Sequence, residues 1–449
     1  MATVGGSPSE RRKRSERTSA PPGGSNALVC RPGAGRGSNR DVSSPAPSGT
    51  GIIYASFDRF PAPKGAAVHI RAFVEALGAA FGGVDLLALR DGSTVGAGPI
   101  ALADGVTYHP LEARGRDLVE QALSFRSHLG AWWRDRPRAA VVHVRSIFEG
   151  YPVARRKESL TDALVYEVNG LPSIELKYHH PDVAEDAELL RKLVAQEDLC
   201  LSRADLLVTP SEVTAEYLVK RGVAPDRVRV IPNGVDLDVF RYAPPRAPEP
   251  GRPVRLLYSG TMTSWQGVHH AIEACRLLRG ELPVVLTLVG PLRRNGRRAL
   301  MDRCGDLLLE GAVEILEPLP QAELAKLHHQ CDVVLVPLPV NDRNCVQGCC
   351  PLKLLEAMAT GTPVVASNLP VVRTLAGPDE VMLIRPGSAK AIAEAVKALR
   401  ADATLGPAMS ARARARVERD FPWGRAREAL VRAYEESFGM TKSARPRDD

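Results

Sequence analysis

The stretch DVVLVPLPVNDRNCVQGCCPLKLLEAMATGTPVVAS (332–367) decides the reading of the whole chain. It opens with a short run that is apolar on both faces, as a strand covered by helices on both sides must be. A polar loop follows, and then PLKLLEAMAT has the periodicity of a helix. Pro351 suits the first helical turn, where a missing N–H costs nothing, and Gly361 supplies a left-handed cap. PVVAS is the next buried strand. Lys353 and Glu356 are three residues apart, so they share a face of that helix. Free N–H groups at a helix start, the positive end of its dipole and a lysine together outline a phosphate site. The carboxylate one turn on can accept two hydroxyl hydrogen bonds, as from a ribose. An ordinary surface Lys–Glu pair has the same spacing.

Outward from this unit the alternation continues in both directions. Towards the N-terminus lie VRLLYSG (254–260), PVVLTLVG (283–290) and AVEILEP (312–318), each followed by a helix. Before them RYAPPRAPEPGRP (241–253) carries five prolines and reads as a linker. An earlier series begins with GIIYASF (51–57), the loop DRFPAPKGA and the helix AVHIRAFVEALGAAF (67–81). It proceeds through VDLLAL (84–89), an amphipathic helix with Leu118, Ala122, Phe125, Leu129 and Trp132 as its stripe, AAVVHVRS, ALVYEVN (163–169) and DLLVTPS. The expected fold class is α/β, with two doubly wound, Rossmann-like sheets facing across a cleft. The expected domains are residues 51–240 and 254–424, with a last helix at 425–440 crossing back onto the first. Sites in such sheets form beyond the carboxyl ends of the strands.

Charge and composition narrow the partners. The 449 residues carry 59 Lys+Arg against 52 Asp+Glu, a net +7. Five of those seven charges fall within residues 1–50, a Gly-, Ser-, Pro- and Arg-rich tail expected to be disordered. The folded part is close to neutral, so specific nucleic-acid binding is not expected. RRKR (11–14) reads as a solvated tail, and GAGRG (33–37) lacks the flanking strand and helix of a dinucleotide loop. No apolar run is long enough to span a bilayer, and no secretory signal is legible. The expected location is the cytoplasm. Trp133, followed by Arg134, Arg136 and Arg138, would offer a peripheral contact with the inner face of a membrane if it faced outwards. Cys345, Cys349 and Cys350 match no zinc spacing and read as ordinary thiols.

PLKLLEAMATGTPVVASNLP (351–370) resembles the donor-binding region of family-4 retaining glycosyltransferases of the GT-B fold (glycosyl transferases group 1). VTPSEVTAEYLVKRGVAPDRVRVIPNGVDLDVF (208–240), LLYSGTMTSWQGV (256–268), LPQAELAKLHHQCDVVLVPL (319–338) and FPAPKGAAVHI (60–70) resemble further segments of that family. The resemblance spans about residues 51–440. It implies a nucleotide-diphosphate-sugar substrate bound mainly by the second domain, a carbohydrate or glycolipid acceptor bound mainly by the first, and transfer with retention. It implies no cofactor and no essential metal.

Residue by residue, Glu356 matches the second glutamate of the family's E-x7-E motif, while the first falls at Gly348. The family's Arg and Lys after the first strand of the second domain align with Thr261 and Gln266, so both cations are absent. In the variant layout that the PLK and SWQG motifs suggest, Lys353 supplies the cation and N–H groups of Gly260 and Thr261 help hold phosphate. Leu354 and Gln266 are counted with this donor set. Arg293 and Arg294 are spare candidates. In the first domain, Lys64 and Gly65 hold the loop that the family uses to approach donor phosphates or acceptor. His143, with Lys353, is the catalytic candidate, because related enzymes often carry a histidine near the transferred sugar in this strand. Glu167 and Asn169, with Lys64, are the acceptor-side candidates. Two other readings share the architecture: a non-hydrolysing nucleotide-sugar epimerase, and an inactive nucleotide-sugar-binding protein, which the three departures favour.

Overall fold

The computed structural model describes residues 51–443, apart from Pro63, 91–97, Pro248, Pro250 and Arg293. The basic tail with its RRKR and GAGRG strings lies outside the described residues, as do Arg293 and the side chain of Arg294.

The first sheet has eight strands: β1 (Ile52–Phe60), β2 (Val84–Arg90), β3 (Ile100–Ala103), β4 (Val106–Leu111), β5 (Ala139–Val144), β6 (Thr161–Glu167), β7 (Leu206–Thr209) and β8 (Val228–Val230). Their order is β3-β4-β2-β1-β5-β6-β7-β8. All pairings are parallel except that of β3 with β4. The edge pair was not legible in the sequence, because β3 has only four residues, IALA, and β4 is half-polar with Pro110 within it. The second sheet comprises β9 (Val254–Ser259), β10 (Val284–Val289), β11 (Val313–Leu316), β12 (Val333–Val336), β13 (Val364–Ser367) and β14 (Met382–Ile384). It is parallel, in the order β11-β10-β9-β12-β13-β14. Strand order reverses beside β1 in the first sheet and beside β9 in the second. A crevice opens at the carboxyl end of each such reversal, because the flanking connections leave to opposite faces.

Each sheet is covered on both faces. Tyr54, Phe73, Leu77 and Val141 belong to one core layer of the first sheet, and Val142, Leu164, Tyr166 and Leu207 to the other. The helix Leu118–Trp133 buries Ala122, Phe125, Leu129 and Trp133. This corrects both the expected stripe and the expected membrane contact. Trp133 is 5% exposed and packed in the core, whereas Trp132 is half-buried with the Arg136 guanidinium 4.0 Å above its ring. Residue 133 lies just over three helical turns beyond Ala122, so the same face carries both. No helix among the described residues is long and apolar enough to cross a membrane.

The C-terminal helix Trp423–Phe438 completes the core of the first sheet, not of the second. Trp423, Ala426, Leu430, Ala433, Tyr434 and Phe438 recur at helical spacing and pack with Ile70, Phe73 and Leu77. The chain thereby passes from the first sheet to the second and back again.

Candidate active site

A cleft of about 520 Å³ opens where the carboxyl ends of the two sheets face each other, within the usual range for small-molecule sites. Its walls come from the ends of strands: Lys64 and Gly65 after β1, Arg145 after β5, Asn169 after β6, Gly260 and Thr261 after β9, and Gly290 after β10. The helix Leu352–Thr360 points its start into the cleft. Pro351 precedes it in extended conformation, and no side chain caps it, so its first N–H groups remain available there. The helix ends at Gly361 (φ 82°).

Lys353 and Glu356 both line the cleft and are each only 8% exposed. The Lys353 ammonium donates to Gln266 Oε1 at 3.0 Å and lies 4.3 Å from the centre of the Tyr258 ring. A Cβ at Gly260, whose φ is 130°, would come within 2.8 Å of that nitrogen. Burial pulls the Lys353 ammonium down to about 7, against the opposing pull of Cys349 and Glu356. It pushes the Glu356 carboxyl up to about 7, with Lys353 opposing. The two groups are thus poised to change charge when an anion enters.

On the first-domain side a single carboxylate organises the floor. Glu167, 1% exposed, accepts from Tyr54 Oη at 2.7 Å, from His143 Nε2 at 3.0 Å, from Arg145 Nε at 3.0 Å and from the Asn169 amide. His69 Nε2 also lies 2.9 Å from it, off the axis of a good hydrogen bond. Burial alone would raise this carboxyl; His69 and Arg145 outweigh it and hold Glu167 well below the usual range. Arg145 also pairs with Asp58 at 2.5 Å. His143 is fully buried, and that burial lowers its pKa. Its Nε2 faces the Glu167 carboxylate and so carries the proton. Its Nδ1 then accepts from Tyr434 Oη at 2.7 Å. His69 Nδ1 donates to Asn233 Oδ1 at 2.8 Å, and Asn233 Nδ2 donates to the Cys350 carbonyl at 2.8 Å. Hydrogen bonds, joined at one link by the Glu167–His69 contact, therefore run from the C-terminal helix, through the floor of the first domain, to the loop before the lysine helix.

The cleft brings together Lys64, Gly65, Asn169, Gly260, Thr261, Gln266, Lys353 and Glu356. It does not bring His143, Glu167 or Leu354 to its wall. His143 and Glu167 lie beneath the floor, and Leu354 packs in the core under the helix. The sequence reading missed His69, Arg145, Asn233 and Arg343, which all line the cleft. Arg145 had a usable signal, since it follows His143 by two residues along the same strand direction. Arg343 had none, because it lies on a π-helical turn, Arg343–Gln347, set by contacts with the other domain. Cys349 and Cys350 also line the cleft. Among the described residues no three His, Cys, Asp or Glu side chains converge as a metal site.

Gly348 stands where the resemblance expects a glutamate. Its φ is 86°, and a Cβ there would fall 2.8 Å from Thr214 Oγ1 and 2.9 Å from the Thr214 backbone nitrogen. The first domain occupies the space a side chain would need, so the departure is built into the packing of the two domains.

Residues 243–416 match the family described as glycosyl transferases group 1, and residues 63–239 match glycosyltransferase family 4. The D-inositol 3-phosphate glycosyltransferase of Kineococcus radiotolerans is 31% identical over 265 residues, covering 54% of this chain and 59% of the relative. The chain spans less than two thirds of the length of the curated relatives first matched. Among solved structures, sucrose-phosphate synthase from Thermosynechococcus elongatus superposes with a TM-score of 0.71 at 21% identity, over 87% of this chain and 99% of its own. HepE of Anabaena, solved in complex with UDP-glucose, gives 0.62 at 15% identity, over 86% and 99%. With a family match on each of its two sheets and the fold shared over nearly its whole described length, the chain belongs to the family-4, group 1 glycosyltransferases of the GT-B fold.

Proposed function

We propose that this protein is a hexosyltransferase that moves a sugar from a nucleotide-diphosphate-sugar to a carbohydrate or glycolipid acceptor, with retained configuration and without an essential metal. The observation that carries this reading is the close approach of Lys353, at the start of an uncapped helix, to the glycine turn at Gly260–Thr261 on the second-domain wall of the cleft. A diphosphate fits that chemistry: the first N–H groups of the helix, the Thr261 N–H and an ammonium face it, whereas the Gly260 N–H, expected to join them, donates to the Val289 carbonyl at 2.9 Å; Glu356 stands one turn further for the ribose hydroxyls. A leaving diphosphate gains negative charge in the transition state, so donors fixed there favour departure over ground-state binding. The fold shared with HepE, solved in complex with UDP-glucose, supports a nucleotide-sugar as donor. Lys64, Arg145 and Asn169 face the same space from the first domain and are assigned to the acceptor side.

The test is a thermal-shift screen of nucleotide sugars, followed by turnover assays with the best donor. Lys353→Ala is expected to lower kcat/KM by about a hundredfold or more, and Glu356→Gln to raise the donor Kd about tenfold. If neither changes donor binding or turnover, the site assignment is wrong. The open departure at Gly348 favours one rival, a protein that binds the donor and transfers nothing. Release of nucleoside diphosphate only when acceptor is present excludes that rival, and excludes an epimerase, which needs no acceptor.

A further inference from the structure

Two cations that the family places after the first strand of the second domain are Thr261 and Gln266 in this chain. Lys353 supplies only one in return. On the second-domain wall of the cleft, one further cation is present among the described residues, Arg343. Its surroundings are those of a held guanidinium, not of a solvated surface arginine. Its side chain is 13% exposed and its Nε lies 3.0 Å from Glu175 of the first domain. Its Nη1 donates to the Gly348 carbonyl at 3.1 Å, and its Cζ stands 5.0 Å from the centre of the Trp265 ring. Trp265 is the immediate neighbour of Gln266, which in turn binds Lys353. Cys349 lines the same cleft as both. Arg343 and Lys353 therefore flank the same turn, Ser264–Gln266.

We infer that Arg343 is a diphosphate-binding residue, the cation lost at position 266 having been transposed onto the 341–350 loop. This rests on the nucleotide-sugar reading above and adds a residue to it. A guanidinium held beside an aromatic ring loses little freedom on binding, and the N–H groups not taken by the Gly348 carbonyl and Glu175 are what it offers to a phosphate oxygen, with its full positive charge. Glu175 does not cancel that role. Its carboxylate also accepts from Gln347 Nε2 at 2.8 Å, so it is shared between two partners and fixes the loop as well as the charge. Because Glu175 belongs to the first domain, docking of the loop there adds an ion pair to the contacts that Gly348 and Trp265 make with Arg343 within the second domain. Asp342, adjacent to Arg343, bonds to Lys177 and Tyr178 of the same first-domain helix, Pro172–His179. Domain closure thus delivers the cation to the donor.

The experiment is calorimetric titration of the full chain with UDP, ADP and GDP and with the matching monophosphates, which lack the β-phosphate. In Arg343→Met the affinity for the best diphosphate is expected to fall about tenfold, with a change below about threefold for its monophosphate. Returning a cation to the neighbouring position, in Arg343→Met/Gln266→Lys, is expected to bring diphosphate affinity back within about threefold of wild type. A purely structural arginine would show no such rescue. Equal losses for diphosphate and monophosphate, unchanged diphosphate affinity, or failure of the rescue overturns the assignment. If Arg343→Met does not melt cooperatively, Arg343→Lys replaces it. A fall of about threefold or more in diphosphate affinity that the monophosphate does not share then supports the assignment, and unchanged diphosphate affinity or an equal loss for both overturns it. If the wild type binds none of the six nucleotides, the donor reading itself falls. Binding by the wild type without a selective loss in the variants removes only Arg343.

Discussion

Lys353 and Glu356 carry an unusual amount of the chemistry for two side chains one helical turn apart. With both near 7 in the empty cleft, Lys353 is mostly neutral at pH 8 while Glu356 is mostly ionised. A diphosphate stabilises the ammonium, so its binding at pH 8 should take up a proton, approaching one per site. Affinity should accordingly weaken as pH rises above about 7. Titrations in buffers of different ionisation enthalpy measure the uptake directly, and Lys353→Met should remove the part due to the ammonium, leaving only what Glu356 takes up. Gly348 makes the opposite kind of prediction, about a residue that cannot be restored. Gly348→Glu puts back the family's side chain but drives a Cβ against the Thr214 backbone at a φ of 86°. The expected result is a loss of stability of about 1–3 kcal/mol, seen as a lower melting temperature, with no gain in turnover.

At the scale of elements, the C-terminal helix Trp423–Phe438 is bound to the first sheet by two different interactions. Its apolar stripe buries Leu430 completely, and Leu430→Ala should cost about 2–5 kcal/mol by removing core volume. Its Tyr434 hydroxyl donates to His143 at 2.7 Å in a site without exposure. Tyr434→Phe keeps the ring and strands the His143 nitrogen, at about 1–3 kcal/mol. Chemical denaturation measures both. Because His143 holds Glu167, which holds Arg145 and Asn169, Tyr434→Phe should also reduce turnover more than it reduces donor affinity. His143 acts in this scheme as a positioning residue beneath the floor.

For the whole molecule, the second sheet's loop is docked on the first domain by Glu175, Lys177 and Tyr178, and Asn233 ties His69 to the Cys350 carbonyl. These contacts are part-buried, so each contributes modestly and together they set the closed arrangement. Glu175→Ala should raise the donor KM several-fold, about threefold to tenfold, and leave melting little changed. An unchanged KM would separate the loop from the donor site.

The alternation of strands and helices, the proline-rich connection at 241–253 and the Lys353–Glu356 helix were all legible in the sequence. Each depends on local rules: apolar period, a proline at a helix start, a glycine at its end. The family likeness rests on the same contiguous segments. His69 and Arg343 were not legible as site residues, Arg145 had only its spacing from His143 to mark it, and His143, a catalytic candidate by resemblance, lies beneath the cleft floor. Their positions depend on partners far away in the chain: Tyr54 meets Glu167, Tyr434 meets His143, and Glu175 meets Arg343. Sequence alone determined which segments form the two sheets and which helix carries Lys353 and Glu356 on one face, because those follow from neighbours a few residues apart. Only the tertiary structure decided which charges share the cleft and why position 348 has no room for a side chain, because both depend on how one domain is packed against the other.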